Sequence, residues 1–194
     1  MMYEEGWYKF DFKNYKCERP ENDSVKGLLS VDFIVETDTN LLFIEIKDFD
    51  ESEKKIQNTN DEAEKVTLRS HYENRIEKDL NKLILKKDKS NEDSVALFRT
   101  QIGGKLKDTI LRKYVSGYEF KKPVIYIFIM EFVSFGPQEI RILRENIFNG
   151  HIPKFTEIKS RKIKIENFEI LNVKQFSKKY EFSVYPTNFT NEKS

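Results

Sequence analysis

The longest uninterrupted apolar run in the chain is Val124-Ile125-Tyr126-Ile127-Phe128-Ile129-Met130. Its seven residues fall well short of the ~20 that a membrane-crossing helix needs. The run is apolar at odd and even positions alike, so as a strand it must be covered on both faces. Pro123 stands at its start, where a strand tolerates proline. A doubly covered central strand belongs to layered α/β architectures, and the rest of the chain must supply the covering helices.

The helical patterns are present. Leu68, Tyr72, Ile76, Leu80 and Ile84 recur every four residues and predict an amphipathic helix over 63–87. Phe98, Ile102, Leu106 and Ile110 form a second stripe. Gly103-Gly104 lies within it, so the helix starts there or a neighbour packs close. Ile140, Leu143 and Ile147 predict a third helix over 137–149, stopped by Asn149-Gly150. Strand patterns fall at 7–17, 29–36, 41–47, 162–165, 168–173 and 180–185. The turn formers Thr37-Asp38-Thr39-Asn40 join the second and third strands as a hairpin. The order predicts an α/β protein with a mixed β-sheet flanked by helices. It reads as a single domain over 1–194, with 48–97 as a helical insertion after the 41–47 strand.

The 16 Phe and 9 Tyr of the 194 residues can furnish a core. A lone Cys17 excludes an internal disulfide and fits a reducing compartment. One Cys and two His leave too little for a structural zinc site. The opening Met1-Met2-Tyr3-Glu4-Glu5 lacks the features of a signal peptide, so the expectation is a cytoplasmic protein with no membrane partner. Gly103-Gly104-Lys105 lacks the spacing of a P-loop, and nothing in the spacing of Cys17, His71 and His151 supports a thiol dyad.

The formal charge of +1 hides an asymmetry. Residues 48–64 hold seven acids against two bases, net −5. Residues 99–122 hold seven bases against two acids, and 152–179 eight against three, each net +5. Each run read singly is a solvated face; together the basic runs could form a face that attracts a polyanion.

One constellation carries chemistry. If Glu36 faces Leu41 across the hairpin loop, then Ile34 faces Phe43, Asp32 faces Glu45 and Ser30 faces Lys47. Asp32, Glu45 and Lys47 then share one face, while Val31, Phe33, Val35, Leu42, Ile44 and Ile46 form an apolar core face. Directly opposed carboxylates are destabilising unless a positive group lies between them. Lys47 is one candidate and a divalent cation is the other. Two acids with the Ile46 backbone carbonyl suit a hard cation, Mg²⁺ or Mn²⁺, which could activate water for phosphodiester cleavage.

The segments Val31-Asp32-Phe33-Ile34-Val35-Glu36 and Phe43-Ile44-Glu45-Ile46-Lys47-Asp48 resemble the core of the PD-(D/E)XK nuclease superfamily. That family's pattern places an Asp on the first strand of a hairpin and (D/E)-X-K on the second. Here twelve residues separate Asp32 from Glu45-Ile46-Lys47, and Val31 stands where the family has its proline. The resemblance implies a restriction-endonuclease-like core and a metal-dependent nuclease. Asp32 and Glu45 would bind metal with the Ile46 carbonyl, and Lys47 would assist the attacking water. It also implies that the helix after the Lys strand turns Gln101, Lys105 and Lys107 towards nucleic acid, with DNA ahead of RNA. Many members add an acid from an N-terminal helix, for which Glu4, Glu5, Glu18 and Glu21 are the candidates. A homodimer would suit the cutting of two strands. The alternative is a catalytically inactive nuclease-fold module that binds nucleic acid or a protein partner.

Overall fold

The structure is a computed structural model that describes residues 2–5, 8–20, 28–47, 59–64, 66–67, 99–130, 136–150 and 163–186. In chain order the strands are β1 (Met2–Glu5), β2 (Tyr8–Asp11), β3 (Lys16–Glu18), β4 (Phe33–Glu36) and β5 (Leu41–Lys47). A π-helical turn, Arg99–Gly104, then runs into α1 (Lys105–Val115). After it come β6 (Val124–Met130), α2 (Pro137–Gly150), β7 (Ile165–Leu171), α3 (Val173–Tyr180) and β8 (Ser183–Pro186).

The apolar run does what its pattern demands. It becomes β6, with β5 on one side and β7 on the other, both parallel to it. The sheet order is β3-β4-β5-β6-β7; β4 runs antiparallel to both β3 and β5, and β5, β6 and β7 run parallel. One face packs Ile34, Phe43, Tyr126, Phe128, Phe168 and Ile170 against Ile102, Leu106 and Ile110 of the π turn and α1 and Leu143 and Ile147 of α2. The other face packs Phe33, Val35, Leu42, Ile44, Ile127 and Ile129 against Phe10, Phe12, Phe176 and Phe182. Those four rings belong to a second layer made of the antiparallel sheet β1-β2-β8 and α3. Phe10 and Phe12 stack, and the other rings meet tilted or edge-on, with centroids 5.2 Å apart in Phe12–Phe182 and 6.3 Å in Phe10–Phe176. The fold is therefore α/β, with helices on one side of a mixed sheet and a small sheet with a helix on the other.

Several expectations need correction. The alternation at 7–17 is not one strand: Lys13 takes a left-handed φ of 57° and the chain turns there. β2 enters the small sheet while β3 edges the large one. The expected strands 162–165 and 168–173 are one strand, β7, and 173–180 is helical. Asn172 and Gln175 form a reciprocal capping box that starts α3. The start of the 63–87 helix is seen at Glu62–Glu64 and Val66–Thr67, where the Asp61 carboxylate accepts from Ala63 and Glu64 N–H. The remainder of that expected helix, and most of the 48–97 insertion, lie outside the described residues. No helix among the described residues is long and apolar enough to cross a membrane.

Candidate functional site

The hairpin register is the expected one: Glu36 pairs with Leu41, Ile34 with Phe43, and the ladder ends at Phe33 with Ile44. Thr37 N–H donates to the Asn40 carbonyl at 2.9 Å and closes the loop. Asp32 is not opposite Glu45 in the ladder, because β4 starts only at Phe33. The reason lies in α1. Asp108 Oδ2 accepts from Leu29 N–H at 3.1 Å, and Thr109 Oγ1 accepts from Val31 N–H at 3.0 Å. Arg112 donates to the Leu28 carbonyl at 2.7 Å. Backbone groups that a strand partner would satisfy are thus taken by helix side chains. Val31 consequently packs with Ile34 and Phe43 on the helix side, not with Phe33 and Val35. The face expected to be polar is also core: Glu45 has 0% exposure.

Freed from the ladder, Asp32 turns its carboxylate back onto β5. Its Oδ2 accepts from Ile46 N–H at 2.7 Å and stands in for the missing strand carbonyl. The Ile46 carbonyl leaves the strand towards the same edge, as in a hydrogen-bonded antiparallel pair. The positive group between the carboxylates is Lys105, the first residue of α1. Its Nζ lies 2.7 Å from both Glu45 oxygens and 3.7 Å from Asp32 Oδ1. The Lys105 and Asp32 side chains are only 15% and 17% exposed. Burial by itself lowers the Lys105 pKa, but the Glu45 and Asp32 carboxylates outweigh it and the net shift is upward. Glu5, at the end of β1, adds a smaller upward pull on the same ammonium.

The turn that delivers Lys105 is also anchored. Tyr126 OH, fully buried on β6, donates to the Ile102 carbonyl at 3.0 Å. Burial, followed by the charges of Glu45 and Asp32, pushes the Tyr126 phenol well above its usual pKa and keeps it a donor. Wider π turns inside helices frequently occur at functional sites, and this one precedes the lysine that enters the cluster.

The other expected site residues are placed less closely. Lys47 ends β5 in register with Met130, and its side chain lies outside the described residues. Gln101 lies in the π turn, and its side chain also lies outside them. Lys107 is on the outward side of α1, 62% exposed and 3.9 Å from Asp108. Much of the basic 99–122 segment is engaged within the molecule: Lys113 pairs with Glu18, and Lys122 meets Glu36 at 3.0 Å and the Thr37 carbonyl at 2.6 Å. Glu4 pairs with Lys9 and Glu5 with Arg19, both on or beside the strands of the small sheet; Glu21 lies outside the described residues. Asp108 and Thr109, which fix the approach to Asp32, were not singled out from sequence. Their one signal is two short polar residues between Leu106 and Ile110 on a helix, where such side chains are poor formers.

Does this cluster suit a divalent cation? No group of three His, Cys, Asp or Glu side chains converges among the described residues. Mg²⁺, however, commonly takes only one or two carboxylates and fills its remaining positions with water and phosphate oxygens. Two carboxylates, one of them wholly buried, converge on one cation position, and carboxylate oxygens are the donors such an ion takes. The described residues also frame a cleft of about 330 Å³ at the carboxyl ends of β6 and β7, between Met130, Pro137, Ile140, Ile170, Asn172 and Gln175. It adjoins the end of β5 through the Lys47–Met130 pairing.

Two other groups, buried Glu169 and half-buried Cys17, fall outside this chemistry. Glu169 on β7 is satisfied by Lys179 at 2.6 Å, Asn167 at 2.9 Å and Tyr180 at 3.1 Å, and reads as a structural network. Burial, partly offset by the Tyr3 hydrogen bond, pushes the Cys17 thiol from its ordinary 9.0 to about 11. His71 and His151 lie outside the described residues. At pH 8 Cys17 should therefore alkylate ~100-fold more slowly than an open thiol, since the thiolate is the nucleophile. Iodoacetamide kinetics with mass detection would check this, and a rate equal to that of the urea-unfolded chain would contradict it.

Neither family models, curated proteins nor solved structures give a match to this chain. The class that the fold defines is an α/β protein with a mixed sheet. The site within it is a buried carboxylate pair bridged by a lysine.

Proposed function

We propose that the chain is a metal-dependent nuclease with a restriction-endonuclease-like core, acting on nucleic acid phosphodiesters. The observation that carries the reading is the convergence of Asp32, from the segment just before β4, and Glu45 of β5 on one cation position beside the carboxyl end of β5. Ligand sites in α/β sheets favour that end. Asp32 and Glu45 would hold Mg²⁺ or Mn²⁺, with the Ile46 carbonyl as a third donor. When bound, the ion supplies a nucleophilic water and stabilises negative charge developing on phosphorus. Asp32 keeps its orientation through the Ile46 N–H, and the Asp108 and Thr109 contacts hold the segment before it. Lys47, two residues beyond Glu45, is assigned to the attacking water or the phosphate.

One observation favours a second reading, an inactive nuclease-fold module that binds nucleic acid or a protein. Lys105 already bridges the carboxylates, so the cluster is self-sufficient as structure. The two readings separate on metal linkage. A group that binds only the folded chain raises its melting temperature by mass action. Millimolar Mg²⁺ or Mn²⁺ should raise the Tm of the wild type and leave that of the Asp32→Asn/Glu45→Gln variant unmoved. Equal response of the two proteins would remove the metal site.

A further inference from the structure

We infer that the Lys105 ammonium and a divalent cation compete for one position between Asp32 and Glu45, so that metal entry displaces Lys105 from the site. The inference rests on the metal-site reading above and adds a role for a residue on a different element. Both Glu45 oxygens are engaged by Nζ at 2.7 Å, and Asp32 Oδ1 lies 3.7 Å from it. A hard cation needs those same oxygens, at roughly 2.0–2.1 Å for Mg²⁺. Glu45 is fully enclosed, so it has no second open side from which an ion could reach it. An ion placed on these oxygens would stand within a few ångström of the ammonium, and the like charges would repel.

The oxygens that hold the Lys105 ammonium are those that would hold the ion, and the ion brings the larger positive charge to them. Lys105 is also free to leave. It begins α1 directly after Gly103-Gly104, and a lysine ammonium rides on a flexible four-carbon stem. In the metal-free chain it acts as a positioning residue that keeps two facing carboxylates together without mutual repulsion.

Two measurements on the full chain test this. The first is Mn²⁺ titration calorimetry on the wild type and Lys105→Met. Removal of the competing charge should tighten Mn²⁺ binding roughly tenfold or more, because a unit and a divalent charge ~4 Å apart repel that strongly even in bulk water. The second uses the wild type alone and so survives any folding defect of the variant. Lysine acylation read by mass spectrometry should find Lys105 slow against exposed Lys107 without metal, and severalfold faster when Mg²⁺ is added. Equal or weaker Mn²⁺ binding by Lys105→Met, or Lys105 acylation that Mg²⁺ leaves unchanged, overturns the competition while leaving the metal site standing. Absence of Mn²⁺ binding by either protein removes the site and the competition together.

Discussion

Lys105→Met is expected to destabilise the folded chain by about 3–5 kcal/mol, the range for removing one partner of a buried ion pair. The variant leaves Glu45, with 0% exposure, beside Asp32 and with its ammonium gone. Glu45 cannot be hydrated without opening the contact between α1 and the sheet. The double variant Lys105→Met/Glu45→Leu should recover most of the loss, since apolar groups of similar volume often replace buried pairs at little cost. Urea midpoints at neutral pH measure both. The sign with pH also follows. The Lys105 pKa is raised on folding, so its contribution is complete below the ordinary value of 10.5 and is lost only as pH climbs through the folded value. The gap between wild type and Lys105→Met should therefore persist through neutral pH and narrow in strong alkali. A single variant within 1 kcal/mol of wild type, on the scale of an exposed pair, would show that the bridge is not a buried one.

The parts of the fold set by local pattern were legible. Leu41–Lys47 has the bounds its alternation predicts, and the hairpin register follows from four turn formers between two β-rich segments. The β6 run is covered on both faces as its composition requires. What was not legible depends on contacts between distant residues. Asp32 leaves the ladder because Asp108 and Thr109, more than 70 positions away, take the amides at Leu29 and Val31. Glu45 finds its counter-charge 60 residues on, in a lysine that the sequence suggested for nucleic acid contact. Repulsion between opposed carboxylates showed that a cation was needed; it did not show which one. The small sheet was hidden because β1, β2 and β8 come from opposite ends of the chain. α3, by contrast, carries a local signal in the Asn172 and Gln175 spacing of a capping box, which competes with the strand pattern over 168–173.

The second large effect concerns rate. In the nuclease reading Asp32 and Glu45 hold the ion that activates water, and Lys47 acts on the water or phosphate. Loss of such acid–base or electrostatic help typically costs ~10²-fold or more. Glu45→Gln keeps the shape and part of the contact to Lys105 but loses a negative charge; Asp32→Asn does the same beside Ile46 N–H. Lys47→Ala should melt near the wild type. The decisive measurement is the initial rate of cleavage of end-labelled DNA and RNA, single- and double-stranded, with Mg²⁺, with Mn²⁺ and with chelator. The account predicts metal-dependent cleavage by the wild type that falls at least ~100-fold in Glu45→Gln, Asp32→Asn and Lys47→Ala. A wild type that cuts none of these substrates with either metal, or cleavage that survives Asp32→Asn and Glu45→Gln unchanged, would contradict it.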